Sequence, residues 1–178
     1  MAAIDFKRKA RLSVCCLAMI GVLSGCGLTQ SVSQGTVSMT KSLFYKKIDT
    51  LHLDFTPRSA LNTDEDRTPL SVVLRVYQLK ARQALDDADY QDLLMYDDAT
   101  LKADWLAQRD VTIKPFGSES LNMPLNPDAK FIAIVGLFRA PEQKGGWKLI
   151  LEREMLDPDM PRVIEVGNGA LTLLPMKD

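Results

Sequence analysis

The chain contains 178 residues, of which 22 are Lys or Arg and 23 are Asp or Glu, so its formal net charge is −1 at pH 7. This balance argues against a nucleic-acid-binding protein, which needs a basic face to neutralise phosphates. The length suffices for one domain that buries its own hydrophobic core.

The first 26 residues have the organisation of a bacterial export signal. A cationic segment, Lys7–Arg11, precedes an apolar run, Leu12–Leu23. A membrane-spanning helix needs roughly 20 apolar residues, so the shorter run predicts a signal peptide over residues 1–25. The Leu-Ser-Gly-Cys sequence ending at Cys26 resembles the lipobox of bacterial lipoproteins, in which this cysteine is acylated and becomes the first residue. A plain signal peptide that is cut elsewhere, with Cys26 incidental, is the alternative.

Cysteine usage agrees with lipidation. Cys15 and Cys16 lie in the segment that would be removed, and Cys26 would carry the lipid. The mature chain would then have no disulfide, and no cofactor other than covalent lipid is expected. Removing residues 1–25 takes away four basic residues and one acidic residue, which leaves a mildly acidic chain. Attachment to the membrane would therefore depend on the lipid rather than on a basic protein surface.

Residues 26–47 are rich in Ser, Thr, Gln and Gly and show little apolar periodicity, which is typical of a flexible tether. Gly27 follows the lipobox cysteine. In enterobacteria an Asp at this position resembles an inner-membrane retention signal, so its absence implies sorting to the outer membrane. We therefore expect residues 48–178 to form a folded domain on the periplasmic face of that membrane.

Alternating apolar and polar residues predict a mainly β domain over residues 48–178. Seven short strands separated by turns favour a two-sheet β-sandwich. The segment Ser71–Leu79 is apolar on both faces, which indicates a central strand covered on both sides. Arg162–Val166 and Leu171–Leu174 flank a Gly-Asn-Gly turn and predict a terminal hairpin. The other expected strands are Leu51–Phe55, Val111–Ile113, Phe131–Arg139 and Trp147–Arg153.

One segment departs from the β pattern. Residues 86–108 are rich in Ala, Leu, Asp and Lys and contain no Pro or Gly. We expect two short helices here, with Asp87 or Asp89 capping the first and Asp97 or Asp98 capping the second. Trp105 is expected to dock this helical insert onto the sandwich. A single continuous helix is the alternative.

Residue patterns for catalysis are sparse. The single histidine, His52, alternates with apolar residues and should face solvent. No HExxH, CxxC, P-loop or GxSxG pattern occurs. The acidic clusters could supply a glycosidase pair, but helix caps and solvated loop charges explain them better, and none has calcium-loop spacing. We expect neither an enzyme nor a metal site.

The connection Thr56–Pro69 is long for a link between two strands. Long loops on rigid sandwiches are where binding residues collect. This one mixes both signs of charge with small apolar residues, which gives a physical but unspecific indication of a partner site.

The order of motifs resembles the TssJ family, also called SciN or VasD, the outer-membrane lipoproteins of the bacterial type VI secretion system. The resemblance runs from the lipobox and tether through Leu51–Phe55 and the strand Val72–Leu79, with the sequence VVLRVYQL. It continues through Ala88–Tyr90, the segment Leu101–Leu106 and the strand Phe131–Arg139, and so covers the whole mature domain.

The resemblance implies a transthyretin-like β-sandwich with a short helical insertion and no catalysis. It implies docking onto the periplasmic C-terminal part of the inner-membrane protein TssM, with TssL in the same complex. The family's contact loop maps onto Thr56–Pro69. Members often carry a glycine late in this loop, where this chain has Asp64–Thr68.

Within that loop, Leu61 is the candidate apolar anchor and the charged residues are candidate rim contacts. We also expect that the loop can be shortened without unfolding the domain. The candidate partner-binding residues are Arg58, Ala60, Leu61, Asn62, Asp64, Glu65, Asp66 and Arg67.

Two other functions remain open on the residues alone. One is a periplasmic ligand- or glycan-binding lipoprotein, since β-sandwiches host many binders. The other is a hydrolase that uses two carboxylates. A glycan binder would expose aromatic platforms, and the Thr56–Pro69 loop contains no aromatic residue.

Overall fold

Eight strands and three short α-helices make up residues 47–176, the part of the chain that the computed structural model describes. The predicted signal peptide, Cys26 and the rest of the predicted tether up to residue 46 lie outside it. Strands β1 to β8 are Thr50–Pro57, Val72–Leu79, Trp105–Ile113, Glu119–Pro124, Phe131–Leu137, Lys148–Glu152, Arg162–Val166 and Leu171–Leu173. Helices α1 to α3 are Gln83–Asp87, Tyr90–Met95 and Asp97–Leu101, and a 3-10 turn spans Arg153–Met155.

The strands form two four-stranded sheets, as expected for a β-sandwich. The first sheet has the order β4-β1-β7-β8 and the second has the order β3-β2-β5-β6. Strands β1 and β7 pair in parallel, with Phe55 opposite Ile164, and the remaining neighbours pair antiparallel. The predicted terminal hairpin is present as β7 and β8.

The core lies between the two sheets and follows from period-two alternation. Leu51, Leu53 and Phe55 point inward from β1 and are at most 1% exposed. Leu74 and Ile134 meet them from the two central strands of the second sheet and are fully buried. Burying a large apolar side chain of this kind stabilises the fold by roughly 1.5–3 kcal/mol.

The three helices cover the outer face of the second sheet. Lys148 on β6 donates to the carbonyl oxygens of Leu85 at 2.7 Å and Ala88 at 3.0 Å. Arg75 on β2 donates to the carbonyl of Leu93 at 3.1 Å. Leu85 of α1 and Leu93 of α2 have no exposed surface, because they lie between their helices and the sheet. The central strands are therefore buried on both faces. This confirms the prediction for Ser71–Leu79.

The helical insert differs from the predicted 86–108. It begins at Gln83, contains three helices rather than two or one, and ends at Leu101. Asp89 caps α2 as predicted, since its side chain accepts from the backbone N–H of Asp92 at 2.8 Å. Helix α3 has no side-chain cap at its N-terminus, so the predicted second cap is wrong.

Trp105 belongs to a strand and not to a helix. It starts β3, opposite Leu79, next to an irregularity in the register with β2. Its ring meets the ring of Tyr77 edge-on, with centroids 5.8 Å apart, and it borders Asp98 and Ala99 of α3. Pairing with β2 overrides the helical composition here, as tertiary contacts commonly do. Trp105 therefore adjoins the insert, but from the sheet side.

Strand β4 was not expected from the sequence. Leu121 and Met123 alternate with exposed neighbours and face the core, but the run is short and lacks β-branched residues. On the outer face of the same sheet, His52 of β1 hydrogen-bonds Asn122 of β4. This agrees with the predicted outward orientation of the histidine. No helix within residues 47–176 is long and apolar enough to cross a membrane.

Candidate partner-binding site

Four connections meet at one end of the sandwich, which we call the loop pole. They are the β1–β2, β3–β4, β5–β6 and β7–β8 connections, residues 58–71, 114–118, 138–147 and 167–170. The strand registers place them together, because Val72 at the start of β2 opposes Ile113 at the end of β3. Likewise, Pro57 at the end of β1 pairs with Val166 at the end of β7. The predicted partner loop is therefore one part of a larger surface.

The β1–β2 loop is folded on itself. The backbone N–H of Leu70 donates to the carbonyl of Leu61 at 3.0 Å and closes the loop at its base. Near the tip, Asp64 accepts from the N–H of Thr68 through its side chain at 2.8 Å and from the N–H of Arg67 through its carbonyl at 3.1 Å. These bonds satisfy backbone groups that a long connection would otherwise leave to solvent. The loop is thus a defined surface despite its length.

Asn62 fastens the loop to the second sheet. Its side-chain N–H donates to the carbonyl of Ser71 at 2.9 Å, and its side-chain oxygen accepts from the N–H of Arg139 at 2.8 Å. The residue is 7% exposed and has a φ of 43°, a left-handed conformation that Asn tolerates better than most residues. The local sequence Leu-Asn therefore marks a fixed corner of the loop.

Leu61 is not an exposed anchor for a partner. Its side chain is fully buried in the domain's own core, which corrects the expectation drawn from its position between small residues. Asn62 is likewise occupied by intramolecular bonds. Deleting Asn62–Arg67 would remove those bonds, and the expectation that the loop can be shortened without unfolding the domain stays a prediction.

The remaining candidate residues of the loop are accessible. Ala60, Asp66 and Arg67 are exposed, and Asp64 is half-buried. Arg58 and Glu65 are exposed and form surface ion pairs with neighbouring elements. Such pairs add little stability, so these charges are free to contribute to recognition.

The partners in those ion pairs are residues that the sequence did not indicate as part of the site. Arg58 Nε lies 2.8 Å from Glu165 of β7, and Arg139 after β5 lies 3.2 Å from Glu65. The N–H of Thr63 donates to the side chain of Asn168 at 3.0 Å. Asn168 sits in the Gly-Asn-Gly turn that the sequence did single out. Its pairing with the β1–β2 loop could not be foreseen, because 105 residues separate the two partners.

A shallow groove of about 540 Å³ runs between three of the loops. It is lined by Thr63, Asp64, Glu65, Arg139, Ala140 and Asn168. Gly169 borders it with a φ of 90°, and a Cβ at this position would lie 2.4 Å from the carbonyl oxygen of Ala140. Only glycine fits this close approach of the two hairpins. The groove is open and lined mainly by polar residue types, which suits contact with a protein surface.

Two titratable groups with shifted pKa values, Tyr77 and Lys148, lie between the second sheet and the helices. Burial raises the pKa of Tyr77, and its hydrogen bond to Asp97 at 2.6 Å adds to this effect. Burial lowers the pKa of Lys148. Both side chains hold helices to the sheet, so the shifts reflect packing. Within residues 47–176, no group of three or more His, Cys, Asp or Glu side chains is placed to hold a metal ion.

Residues 49–169 match the model of the SciN family, described as type VI secretion lipoproteins and including VasD, EvfM and TssJ. The chain belongs to this family of type VI secretion lipoproteins. A comparison with curated protein sequences gives no significant match. Family membership favours the secretion-subunit hypothesis over the glycan-binding alternative.

Solved structures related to the type VI secretion lipoproteins share the same fold. A chain in a structure described as "T6SS protein TssM C-terminal domain (869-1107) from EAEC" is 46% identical, with a TM-score of 0.67 over 72% of this chain and 100% of that one. A chain of a "Type VI membrane complex" is 47% identical, with a TM-score of 0.69 over 72% and 100% of the two chains.

A more distant neighbour shows the fold alone. The type VI lipoprotein TssJ1 from Pseudomonas aeruginosa is 18% identical, with a TM-score of 0.59 over 74% of this chain and 100% of that one. The mainly β, two-sheet sandwich predicted from the sequence is therefore confirmed. As a type VI secretion lipoprotein, the protein is anchored in the outer membrane.

Proposed function

We propose that this lipoprotein is a structural, non-catalytic subunit that docks onto the C-terminal domain of TssM through its loop pole. One observation carries the proposal. This chain is 46% identical to the whole of a chain found in the structure described as the TssM C-terminal domain. The 47% identity to a chain of a type VI membrane complex also supports it. TssL, which the family resemblance adds to the same complex, stays a prediction.

The loop pole supports this role through its shape and its charges. The β1–β2 loop offers Arg58, Ala60, Glu65, Asp66 and Arg67 at its surface, while its backbone is held by internal hydrogen bonds. A surface that is ordered before binding loses less conformational entropy on association. The mixed charges would steer the partner and fix its orientation.

Reversing two charges of the loop tests the docking surface. In a double variant, Glu65→Lys with Asp66→Lys, we expect affinity for the isolated TssM C-terminal domain to fall about ten-fold, mainly through a slower association rate. The lipoprotein purified from membranes in detergent is titrated by surface plasmon resonance at two salt concentrations. Because both side chains are exposed, the thermal transition should not change.

The matched control reverses two exposed acids at the opposite end of the sandwich, Asp128→Lys with Glu154→Lys. It changes net charge by the same amount and should bind as the wild type does. Equal loss in both double variants would mean that only net charge matters. Full binding by the loop variant would place the contact on another surface, with the acidic helical insert next to be tested.

The proposed membrane attachment is a lipid on Cys26, and residues 26–47 form the proposed tether between it and the domain. The proposal includes no cofactor other than this covalent lipid, and no hydrolase step. It is supported by the cationic and apolar segments before the Leu-Ser-Gly-Cys sequence and by membership of a lipoprotein family.

A further inference from the structure

Phe116 is the most exposed large apolar side chain in the described part of the chain, at 79%. It lies at the tip of the β3–β4 turn, where the N–H of Gly117 donates to the carbonyl of Lys114 at 3.1 Å. It is absent from the domain's core, so its ring adds nothing to the packing of the sandwich. An aromatic ring left in water has an unused capacity for apolar contact.

The backbone at Phe116 is strained, because it adopts a conformation that glycine would adopt without strain. Its φ is 64°, and in a four-residue turn this third position favours Gly or Asn. Pro115 precedes it in the second position, and Gly117 follows one place too late to relieve the strain. A bulky residue in the left-handed region is an outlier, and such outliers concentrate at binding sites.

The turn belongs to the loop pole and lies beside the β1–β2 loop. Strand β3 neighbours β2, and β4 neighbours β1, so the turn lies about one strand spacing, roughly 5 Å, from the stems of the β1–β2 loop. The other non-glycine residues with positive φ in the described chain, Asn62 and Arg67, lie in that loop. Strained residues thus gather at this one end of residues 47–176.

We infer that Phe116 is the apolar anchor of the docking surface and inserts into a pocket of the TssM C-terminal domain. This inference rests on the proposed function. It supplies the exposed apolar side chain that the β1–β2 loop lacks, because Leu61 is buried in the core. Interfaces commonly combine a central aromatic anchor with a charged rim. Here Phe116 is the anchor and the charges of the β1–β2 loop are the rim.

Replacing Phe116 by glycine separates binding from folding. Phe116→Gly removes the ring and also the strain, since glycine adopts positive φ freely. We expect affinity for the TssM C-terminal domain to fall about ten-fold or more, mainly through faster dissociation, while the thermal midpoint stays equal or rises. Phe116→Ala, which keeps the strained backbone, should lose as much affinity. Tyr96→Ala removes another exposed aromatic ring, on the helical insert at 63% exposure, and should bind normally.

The outcomes distinguish this inference from the proposed function. If Phe116→Gly binds as tightly as the wild type while the Glu65→Lys, Asp66→Lys variant is weakened, the anchor assignment is overturned and docking through the loop pole stands. Equal losses in the Phe116 and Tyr96 variants also overturn it, because the effect would not be local. If the wild-type lipoprotein does not bind the TssM domain, the proposed function fails and the anchor fails with it.

Discussion

The Asn62 amide bonds two backbone groups from different elements, so its removal would leave both without partners. We predict that Asn62→Ala lowers the free energy of unfolding by roughly 1–3 kcal/mol, the cost of unsatisfied buried polar groups. Alanine also tolerates the left-handed backbone poorly. Urea denaturation measures the effect.

The matched control for Asn62 is Asp66→Ala in the same loop. Asp66 is exposed, and exposed substitutions typically change stability by less than about 0.5 kcal/mol. If Asn62→Ala and Asp66→Ala have the same denaturation midpoint, the amide does not hold the loop to the sheet.

The residues of the loop show where sequence reasoning works and where it ends. Charged residues in a turn-rich segment were correctly expected at the surface, because burying an unpaired charge is costly. Leu61 was misassigned because a single large apolar residue in a loop has no periodicity, and only the folded chain shows which way it points. Phe116 was overlooked for the same reason, although a Pro-Phe-Gly sequence is a turn signal with an aromatic residue at its tip.

At the scale of elements, Tyr77 joins strand β2 to helix α3. Its hydroxyl donates to Asp97 at 2.6 Å, and Arg75 lies 3.3 Å from the same carboxylate oxygen. Burial and the contact with Asp97 raise the pKa of Tyr77 above its ordinary value of 10.0. The folded state therefore keeps this proton at a pH where the unfolded chain loses it. The resulting stabilisation is complete below pH 10.0 and is lost as the pH rises above that value.

We predict that Tyr77→Phe lowers stability near neutral pH by about 1 kcal/mol, for the lost hydrogen bond, and flattens the decline above pH 10.0. The lowered pKa of Lys148 acts in the opposite direction, with stability rising toward pH 10.5. The contribution of Lys148 is the same in the wild type and in Tyr77→Phe, so it cancels when their unfolding free energies are subtracted. Denaturation curves of the two proteins across this range give the measurement. Parallel pH profiles would show that Tyr77 is not the group that titrates.

The helical insert illustrates a limit of local patterns. Helices α1 to α3 have five or six residues each, which is too short to be stable alone. They exist because Leu85, Leu93 and Leu101 are buried against the sheet. Asp89 caps α2, but α1 and α3 have no side-chain cap, so their boundaries depend on those contacts. The start of β3 at Trp105 depends in the same way on pairing with β2.

At the scale of the whole molecule, the two-sheet architecture could be predicted because period-two alternation determines which face of each strand is buried. The order of strands within each sheet could not. Strand β1 pairs with β4 and β7, and the residues opposite Leu53 are Leu121 and Arg162. No local signal encodes such distant partners. The loop pole is a product of that order, so the sequence alone identified only the β1–β2 loop as a partner surface.

Membrane attachment is a property of the whole molecule. We predict that Cys26→Ser abolishes palmitate labelling and releases the protein from outer-membrane fractions, because the thiol is the acceptor of the lipid. The loop pole would be unaffected, and the released protein should still bind the TssM domain. Palmitate incorporation by the Cys26→Ser variant would place the lipid elsewhere and leave the lipobox assignment wrong.

The path of β1 has a mechanical consequence. The described chain begins at Lys47, before the start of β1, and the loop pole begins directly after its end at Pro57. A pull between the membrane and a partner on the β1–β2 loop would therefore run along this one strand. Its hydrogen bonds to β4 are perpendicular to that direction, and those to β7, which pairs in parallel, are slanted across it. A pull along the strand would therefore shear these bonds together and not open them one by one. The helical insert lies outside this line of force.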